Sequence, residues 1–334
     1  MKYSIAYGLL GLLTFGTAER ALSAELPTLR YAVGAYYGAV AQLPNVIAQQ
    51  KGFFAREGLR VEIIKRKEST PGALEHGHIE AIDSGGPADM GVIPNAQFIE
   101  AVLNGSDAVA VSAQSANPVH SLIVRPEIKT FADLKGKEIT LTAPWDAITL
   151  TSQKFLAIHG IGPTDVHIKS IGGTEARMAC LKAGECAAVS LAQPADIDAI
   201  RMGYHRLGVS NEAGLVIMNV EVVRRDWAQK NKDTLVRYLR AEADTMRFIH
   251  DPKNRDEVAK TLAELTHEPP EAVNEMMANF ENPKLRVLTK QGELDMPSFR
   301  HVLELVKESG VYSKPLPPAE HFVDLSYAKA AGIQ

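Results

Sequence analysis

The 334-residue chain has only two cysteines, and 6% of its residues are aromatic. Two cysteines cannot build the dense disulfide framework of a small secreted domain, and no histidine follows them at zinc-finger spacing. An excess of positive charge is also missing: 36 Lys and Arg stand against 40 Asp and Glu, a formal net charge of −4. That argues against nucleic acid as a partner, because phosphate backbones are bound by a clustered basic face. Beyond the first two dozen residues, no apolar run approaches the roughly 18 residues that cross a bilayer. Core material is not lacking, since 46% of the residues are hydrophobic. The length predicts about two domains at roughly 100–200 residues each.

Catalytic motifs are equally scarce. No G-x-S-x-G elbow, P-loop, G-x-G-x-x-G turn or H-E-x-x-H helix occurs. The ten histidines are scattered, and the closest pair, His76 and His78 in "LEHGHIE", has no third ligand nearby. That pair reads as a solvated turn rather than a metal site. The expectation is a protein that is not an enzyme, with no catalytic residues, metal or cofactor.

The N-terminus carries an address. Lys2 precedes an apolar run from Ile5 to about Ala18, and small residues at Ala21, Ser23 and Ala24 lead to Glu25 and Pro27. A charged start, short apolar centre and small-residue exit predict a secretory signal peptide over 1–24. Cleavage after Ala18, Ser23 or Ala24 fits. No cysteine is placed to take a lipid, so the expectation is a monomer released into the periplasm. In that oxidising compartment Cys180 and Cys186, in "ACLKAGECAAV", either form a disulfide or stay two partly buried thiols. Six residues across a helix–Gly–strand turn permit both.

Along the rest of the chain, strand-like runs alternate with helical periodicity. "TLRYAVG", "RVEIIKR", "EAIDSGG", "AVAVSAQ" and "HSLIVRP" read as strands, and "LPNVIAQQKGFFAREG" as a helix that Gly58 closes. "PGALEHGHI" reads as a short helix. "ADMGVIPNAQFIEAVLNG" reads as a helix that starts near Pro87 and breaks or kinks at Pro94. The alternation restarts with "EITLTAP", "VHIKSIG" and "AAVSLAQ", each followed by a helix, and "GLVIMNVEVV" is a further strand. From about Asp226 only helical periodicity remains. This order predicts an α/β fold of two lobes, each a mostly parallel sheet with helices on both faces, and a helical tail covering one of them. The expected divisions are lobe 1 over 25–120 and 211–334, and lobe 2 over 121–210. The crossings are expected around Ser115–Ile123 and Gly208–Met218.

Ligands of open α/β sheets bind beyond the C-terminal strand ends, and four loops fall there. "VGAYYGAVAQLP" carries Tyr36 and Tyr37. "DSGGPAD" places Ser84, Gly85 and Gly86 before a helix, where glycine opens backbone N–H groups to a negative group. "TAPWDAIT" holds Trp145, with Asp146 as N-cap and the Ala147 N–H as donor. "LAQPAD" ends a strand at Gln193. Ser115, in the first crossing, joins them. Any one loop alone is ordinary turn chemistry, but four opening into one cleft make a pocket whose aromatics can cover a ligand. No Arg or Lys lies in these loops, so an anion there is expected to rest on backbone N–H groups and hydroxyls.

"PNVIAQQKGFFAREGLRVEI" resembles the first helix and second strand of extracytoplasmic solute-binding proteins of ABC importers, in the nitrate/sulfonate/taurine and thiamine-precursor-like group. "TFADLKGKEITL", "RMACLKAGECAAVSLAQPA" and "HFVDLSYAKAAG" resemble later segments of the same family, in the same order, though an acidic residue often stands there in place of Cys186. The resemblance implies the type II periplasmic-binding-protein fold, a hinged two-lobe clamp with C-terminal helices that delivers a small solute to a membrane permease. Tyr36, Tyr37 and Trp145 point to a small organic ligand, anionic or aromatic, such as a sulfonate, an aromatic acid or a pyrimidine. Two other readings are a ligand-sensing module for a membrane signalling partner and an enzyme like the fungal thiamine-pyrimidine synthases. The cysteine-rich motif of those enzymes is absent.

Overall fold

The computed structural model describes residues 26–33, 39–65, 79–83, 86–117, 119–144, 146–214, 217, 219–310, 312 and 315–334. The signal-peptide reading, the His76–His78 turn and the candidates Tyr36, Tyr37, Ser84, Gly85 and Trp145 lie outside these residues.

Strand β1 (Thr28–Val33) buries Leu29, Tyr31, Ala32 and Val33 and exposes Thr28 and Arg30. It is followed by α1 (Ala39–Gln50), a single turn α2 (Phe53–Arg56), β2 (Arg60–Lys65), β3 (Met90–Pro94), α3 (Asn95–Leu103) and β4 (Ala108–Ser112). The chain then builds β5 (His120–Val124), β6 (Glu138–Leu141), α4 (Ala147–Ile158), β7 (His167–Ser170), α5 (Thr174–Ala183), β8 (Ala188–Ala192), α6 (Ala195–Arg201) and β9 (His205–Val209). It returns as β10 (Asn219–Arg224) and ends in α7 (Arg225–Lys230), α8 (Lys232–His250), α9 (Arg255–Thr266), α10 (Pro270–Glu281), α11 (Met296–Glu308), α12 (Ala319–Phe322) and α13 (Ser326–Ala330).

Two five-stranded sheets result, ordered β2-β1-β3-β10-β4 and β7-β6-β8-β5-β9. In the first, β1 pairs in parallel with β2 and β3, while β10 runs antiparallel to β3 and β4. The second repeats the plan, with β6 parallel to β7 and β8 and with β5 antiparallel to β8 and β9. The one reversed strand of each sheet is the strand that arrives from the other lobe. A chain that enters a lobe at its cleft edge must run against strands whose C-terminal ends point to that edge. The two crossings therefore aim the C-terminal strand ends of both sheets at a common cleft, where ligands of such sheets bind.

Both faces of each sheet are covered. In lobe 2, Leu122 and Val124 join Ile139, Leu141 and Phe155 on one face, and Ile123 joins Val189, Leu191 and Leu181 on the other. This is the period-2 alternation of a strand buried on both sides. In lobe 1, α8, α9, α10 and α13 pack with α1 and β1 on one face, where Tyr238 stacks on Tyr31 and Phe54 at centroid distances of 5.7 and 5.8 Å. Helices α3, α11 and α12 cover the other face. The helical tail also reaches the second lobe. Ala147 and Leu150 of α4 share a cluster with Phe299 and Val302 of α11, and Arg206 of β9 pairs with Glu275 of α10 at 3.0 Å.

Residues 79–104 differ from the sequence reading. Instead of a strand over "EAIDSGG", Ile79–Ala81 form a short 3-10 turn; instead of a helix from Pro87, Met90–Pro94 form a strand and the helix begins at Asn95. A short apolar run such as Met90–Ile93 has the same hydropathy in a buried strand as in a buried helix, so periodicity cannot separate the two. Pro94 marks the strand end, not a kink. Gly91 permits the pairing with β1, since a Cβ there would lie 2.6 Å from the Ala32 carbonyl oxygen. The two cysteines are joined as a disulfide whose Cα atoms are 5.7 Å apart, made possible by Gly184 turning the chain at φ 73° after α5.

Candidate functional site

The walls of the cleft follow from which strand ends meet there. On the lobe 1 side, β3 ends at Pro94 and passes directly into α3. Asn95, fully buried, donates from its Nδ2 to the Ile217 carbonyl in the second crossing. Its Oδ1 accepts no hydrogen bond among the described residues, and neither do Asn219 Oδ1 or Gln97 Oε1. Asn219 stands opposite Pro94 in the β3–β10 register. Three such amide oxygens, two of them next to the end of β3 and one in the first turn of α3, are unusual, because buried polar atoms are ordinarily paired. They leave this wall short of hydrogen-bond donors.

On the lobe 2 side, β6 leads through Thr142 into α4. Asp146 caps this helix as its position predicts, accepting from the Ile148 N–H at 2.8 Å. Thr142 and Thr149 share a hydrogen bond of 3.0 Å between their hydroxyls, and the buried Thr151 hydroxyl has no partner among the described residues. Burial pushes the Asp146 carboxyl above the usual aspartate range, opposed by the Ile148 N–H, the Thr142 hydroxyl and the charge of Arg177.

Arg177 is the feature that the sequence reading missed. It projects from α5 with only 2% exposure. It donates to Ser190 O at 2.7 Å, Ile171 O at 3.0 Å and Thr174 Oγ1 at 3.4 Å, all neutral acceptors. Ser190 lies on β8, and Ile171 follows β7 and donates to Leu141 O at the end of β6, so the guanidinium ties together the strand ends around the Thr142–Ala147 loop. Burial lowers its pKa to about 10 against the opposing charges of Asp146 and Glu175. Lobe 2 thus holds a desolvated cation near the C-terminal ends of its parallel strands, within charge range of Asp146 at the N-terminus of a 12-residue helix, and both favour negative charge. The one signal in the sequence was position: Arg177 shares a helical face with Cys180 and Leu181, the buried stripe of α5.

The other candidates fall as follows. Ala147 is 4% exposed and packs across the cleft in the cluster of lobe 1 apolar residues. Gln193 follows β8 at a cis bond to Pro194, and its Nε2 has no partner among the described residues. Ser115 sits in the first crossing, where its hydroxyl donates to Val287 O at 3.2 Å. The Gly86 N–H donates to Asp83 O at 2.7 Å within its own turn, so that amide is already occupied. The structure thus brings Asp146, Ala147 and Gln193 to the lobe 2 edge, Ser115 to the crossing, and leaves Gly86 in a turn before β3.

The lobes also touch beyond the crossings. Asn211 donates to Asn117 O at 3.3 Å, linking the two crossings, and Lys154 Nζ lies 3.4 Å from His301 Nε2. Arg206 bridges Asp196 at 2.9 Å and Glu275 at 3.0 Å, and the Ser121 hydroxyl donates to the same Asp196 oxygen at 2.5 Å.

The chain is similar to several known proteins. The bicarbonate transport ATP-binding protein CmpC of Synechocystis is 26% identical over 247 residues, which are 68% of this chain and 36% of that protein. The chain spans about a third of the length of that relative. The periplasmic nitrate-binding protein NrtA of Synechocystis superposes with a TM-score of 0.73 at 16% identity, covering 92% of this chain and 89% of its own. The alkanesulfonate-binding protein SsuA of Xanthomonas axonopodis pv. citri, crystallised with MOPS, gives 0.67 at 19% identity over 90% and 99%. A desulfurization enzyme, DSZB, shares the fold at a TM-score of 0.64 and 14% identity, covering 91% of this chain and 98% of its own, so architecture alone does not separate binding from catalysis. The two-lobe α/β fold is that of the periplasmic binding proteins. The NMT1/THI5-like family model matches residues 41–254, a span that runs from within α1 through both crossings to α8, and the chain belongs to that family.

Proposed function

We propose that this chain is the extracytoplasmic solute-binding component of an ABC importer, which captures a small organic anion between its lobes and delivers it to a membrane permease. The observation that carries this reading is the unlike pair of walls. Lobe 2 offers the desolvated Arg177 and the α4 N-terminus, and lobe 1 offers the amide oxygens of Asn95, Gln97 and Asn219 without donors. A solute with an acidic head and a donor-bearing body satisfies both at once. Lobe 1 is taken as 25–120 with 211–334, and lobe 2 as 121–210. Only the closed form presents both walls to one ligand, so binding shifts the hinge equilibrium by its differential affinity for that form. Tyr36, Tyr37 and Trp145 are assigned to cover the ligand body, Ser84 and Gly85 to meet its polar end.

The proposal includes export through the 1–24 signal peptide and function as a periplasmic monomer. Among the described residues no helix is long and apolar enough to cross a membrane, and the structural similarity to a periplasmic nitrate-binding protein supports the periplasmic placement. Native mass spectrometry of protein purified from its own host is the first test, followed by thermal melts against panels of sulfonates, aromatic carboxylates and neutral pyrimidines. The reading expects a retained small acid, or a rise in Tm with one acidic class. A response confined to the neutral pyrimidines would overturn the anionic assignment, and chemical turnover of any panel member would overturn the binding role.

A further inference from the structure

The densest buried polar group outside the cleft walls lies where the first crossing leaves lobe 1. Glu221 of β10 and Glu242 of α8 are 0% and 2% exposed. Glu221 accepts hydrogen bonds from Tyr31 Oη at 2.6 Å, from Tyr238 Oη at 3.0 Å and from the Ser112 hydroxyl. Three hydroxyl donors thus converge on its two oxygens. Glu242 has poorer surroundings: neither of its oxygens is paired at good hydrogen-bond geometry among the described residues, although Ser112 and Gln114 lie beside it. Burial beside a second carboxylate disfavours ionisation of Glu242, because like charges repel strongly in a low-dielectric interior. As a carboxylic acid, Glu242 becomes a donor, and Glu221 lies within its reach.

We propose that Glu221 and Glu242 share one proton in the folded protein, and that this proton fastens the first crossing to lobe 1. The groups acting on the pair are Tyr31 from β1, Asn45 from α1, Ser112 and Gln114 from β4 and the crossing, and Tyr238 from α8; no cation is among them. On its far side Glu242 packs against Gly292, where a Cβ would lie 2.8 Å from its carboxyl carbon. The Gly292 carbonyl accepts from Ala113 N at 3.1 Å, and Thr289 N donates to Gln114 O at 3.0 Å. Segment 289–292 therefore straps the crossing at residues 113–114 directly over the acid pair. Loss of the proton puts two negative charges under that strap, and the relief available to Glu242 is to push outward against it.

The sign follows from the direction of the shift. Burial and Glu221 raise the Glu242 carboxyl well above the ordinary glutamate range, so the folded chain binds this proton more tightly than the unfolded one. The stabilisation is complete below the unfolded value and is lost as pH rises through the folded value. Between the two, the folded-to-unfolded ratio of wild type relative to Glu242→Gln falls about tenfold per pH unit, because glutamine keeps the donor and cannot ionise. Denaturant midpoints of the two proteins across pH read this directly. Infrared spectra provide a measurement that needs no variant: wild type shows a buried protonated-carboxyl band that titrates away at high pH, and Glu242→Gln lacks it. Hydrogen exchange at 113–117 and 289–292, compared at equal pH so that intrinsic chemistry cancels, becomes faster in wild type than in Glu242→Gln as pH rises. Absence of the band in wild type, or parallel pH profiles for the two proteins, overturns the proposal. No ligand enters these measurements, so their outcome is separate from that of the solute-binding reading.

Discussion

Replacing Arg177 with methionine separates a binding role from a structural one. Its guanidinium is nearly fully buried, and that burial lowers its pKa to about 10. At about 1.36 kcal/mol per unit, keeping the charge in the ligand-free protein costs on the order of 3 kcal/mol. Against that stand the hydrogen bonds to Ser190 O and Ile171 O at 2.7 and 3.0 Å, with a long third to Thr174. Bonds from a charged donor contribute roughly 1.5–3 kcal/mol each, so the two contributions nearly cancel. Removal of the charge relieves the desolvation but leaves two carbonyls without a donor. The expected net loss of ligand-free stability is only about 1–2 kcal/mol, the small difference between the lost hydrogen bonds and the relieved desolvation. The ligand response should change far more. An anion at the lobe 2 wall recovers part of the desolvation, and in Arg177→Met that gain disappears. Thermal melts with and without an acidic ligand that stabilises wild type measure both quantities. A ligand-free Tm shifted by the equivalent of 4 kcal/mol or more, with an unchanged ligand-induced shift, would refute the reasoning and make Arg177 a pin for the strand ends.

Other expectations are simpler. Reduction, or the Cys180→Ser/Cys186→Ser double variant, opens a bridge of sequence separation 6; chain entropy puts the loss at about 2 kcal/mol, read as a lower Tm in dithiothreitol with no change for the double variant. Gly91→Ala drives a Cβ to within 2.6 Å of the Ala32 carbonyl, and the clash is with backbone, so about 1–3 kcal/mol should be lost in a denaturant melt. Asp146→Ala removes the α4 cap and should cost about 1 kcal/mol, while Asp146→Asn, which retains an acceptor, should stay within a few tenths.

Much of the architecture was legible because it depends on local pattern. Alternation of strand and helix, the restart after "HSLIVRP" and the helix-only tail all come from periodicity within single segments, and the elements β5 to α6 fall where that periodicity places them. Asp146 was readable as a cap for the same reason. The misreading at residues 79–104 marks the limit of such patterns: a run of four apolar residues has no periodicity, and its pairing with β1 and β10 shows that it is a strand. The shift also moved the helix start to Asn95 and brought Asn95 and Gln97 into consideration.

What the sequence determined by itself was the inventory: two α/β blocks, a helical tail, no excess of basic charge, and turn-forming loops at the strand ends. What only the tertiary structure decided was which polar groups lose their water. Arg177 in a helix and Glu242 in another look like ordinary charged residues in a list. Their chemistry arises because α5 lays one across the ends of three strands, and α8 buries the other beside Glu221, which is 21 positions earlier in the chain. Periodicity carries information over a few residues, but desolvation depends on everything that packs around an atom, and that is set by contacts distant in sequence.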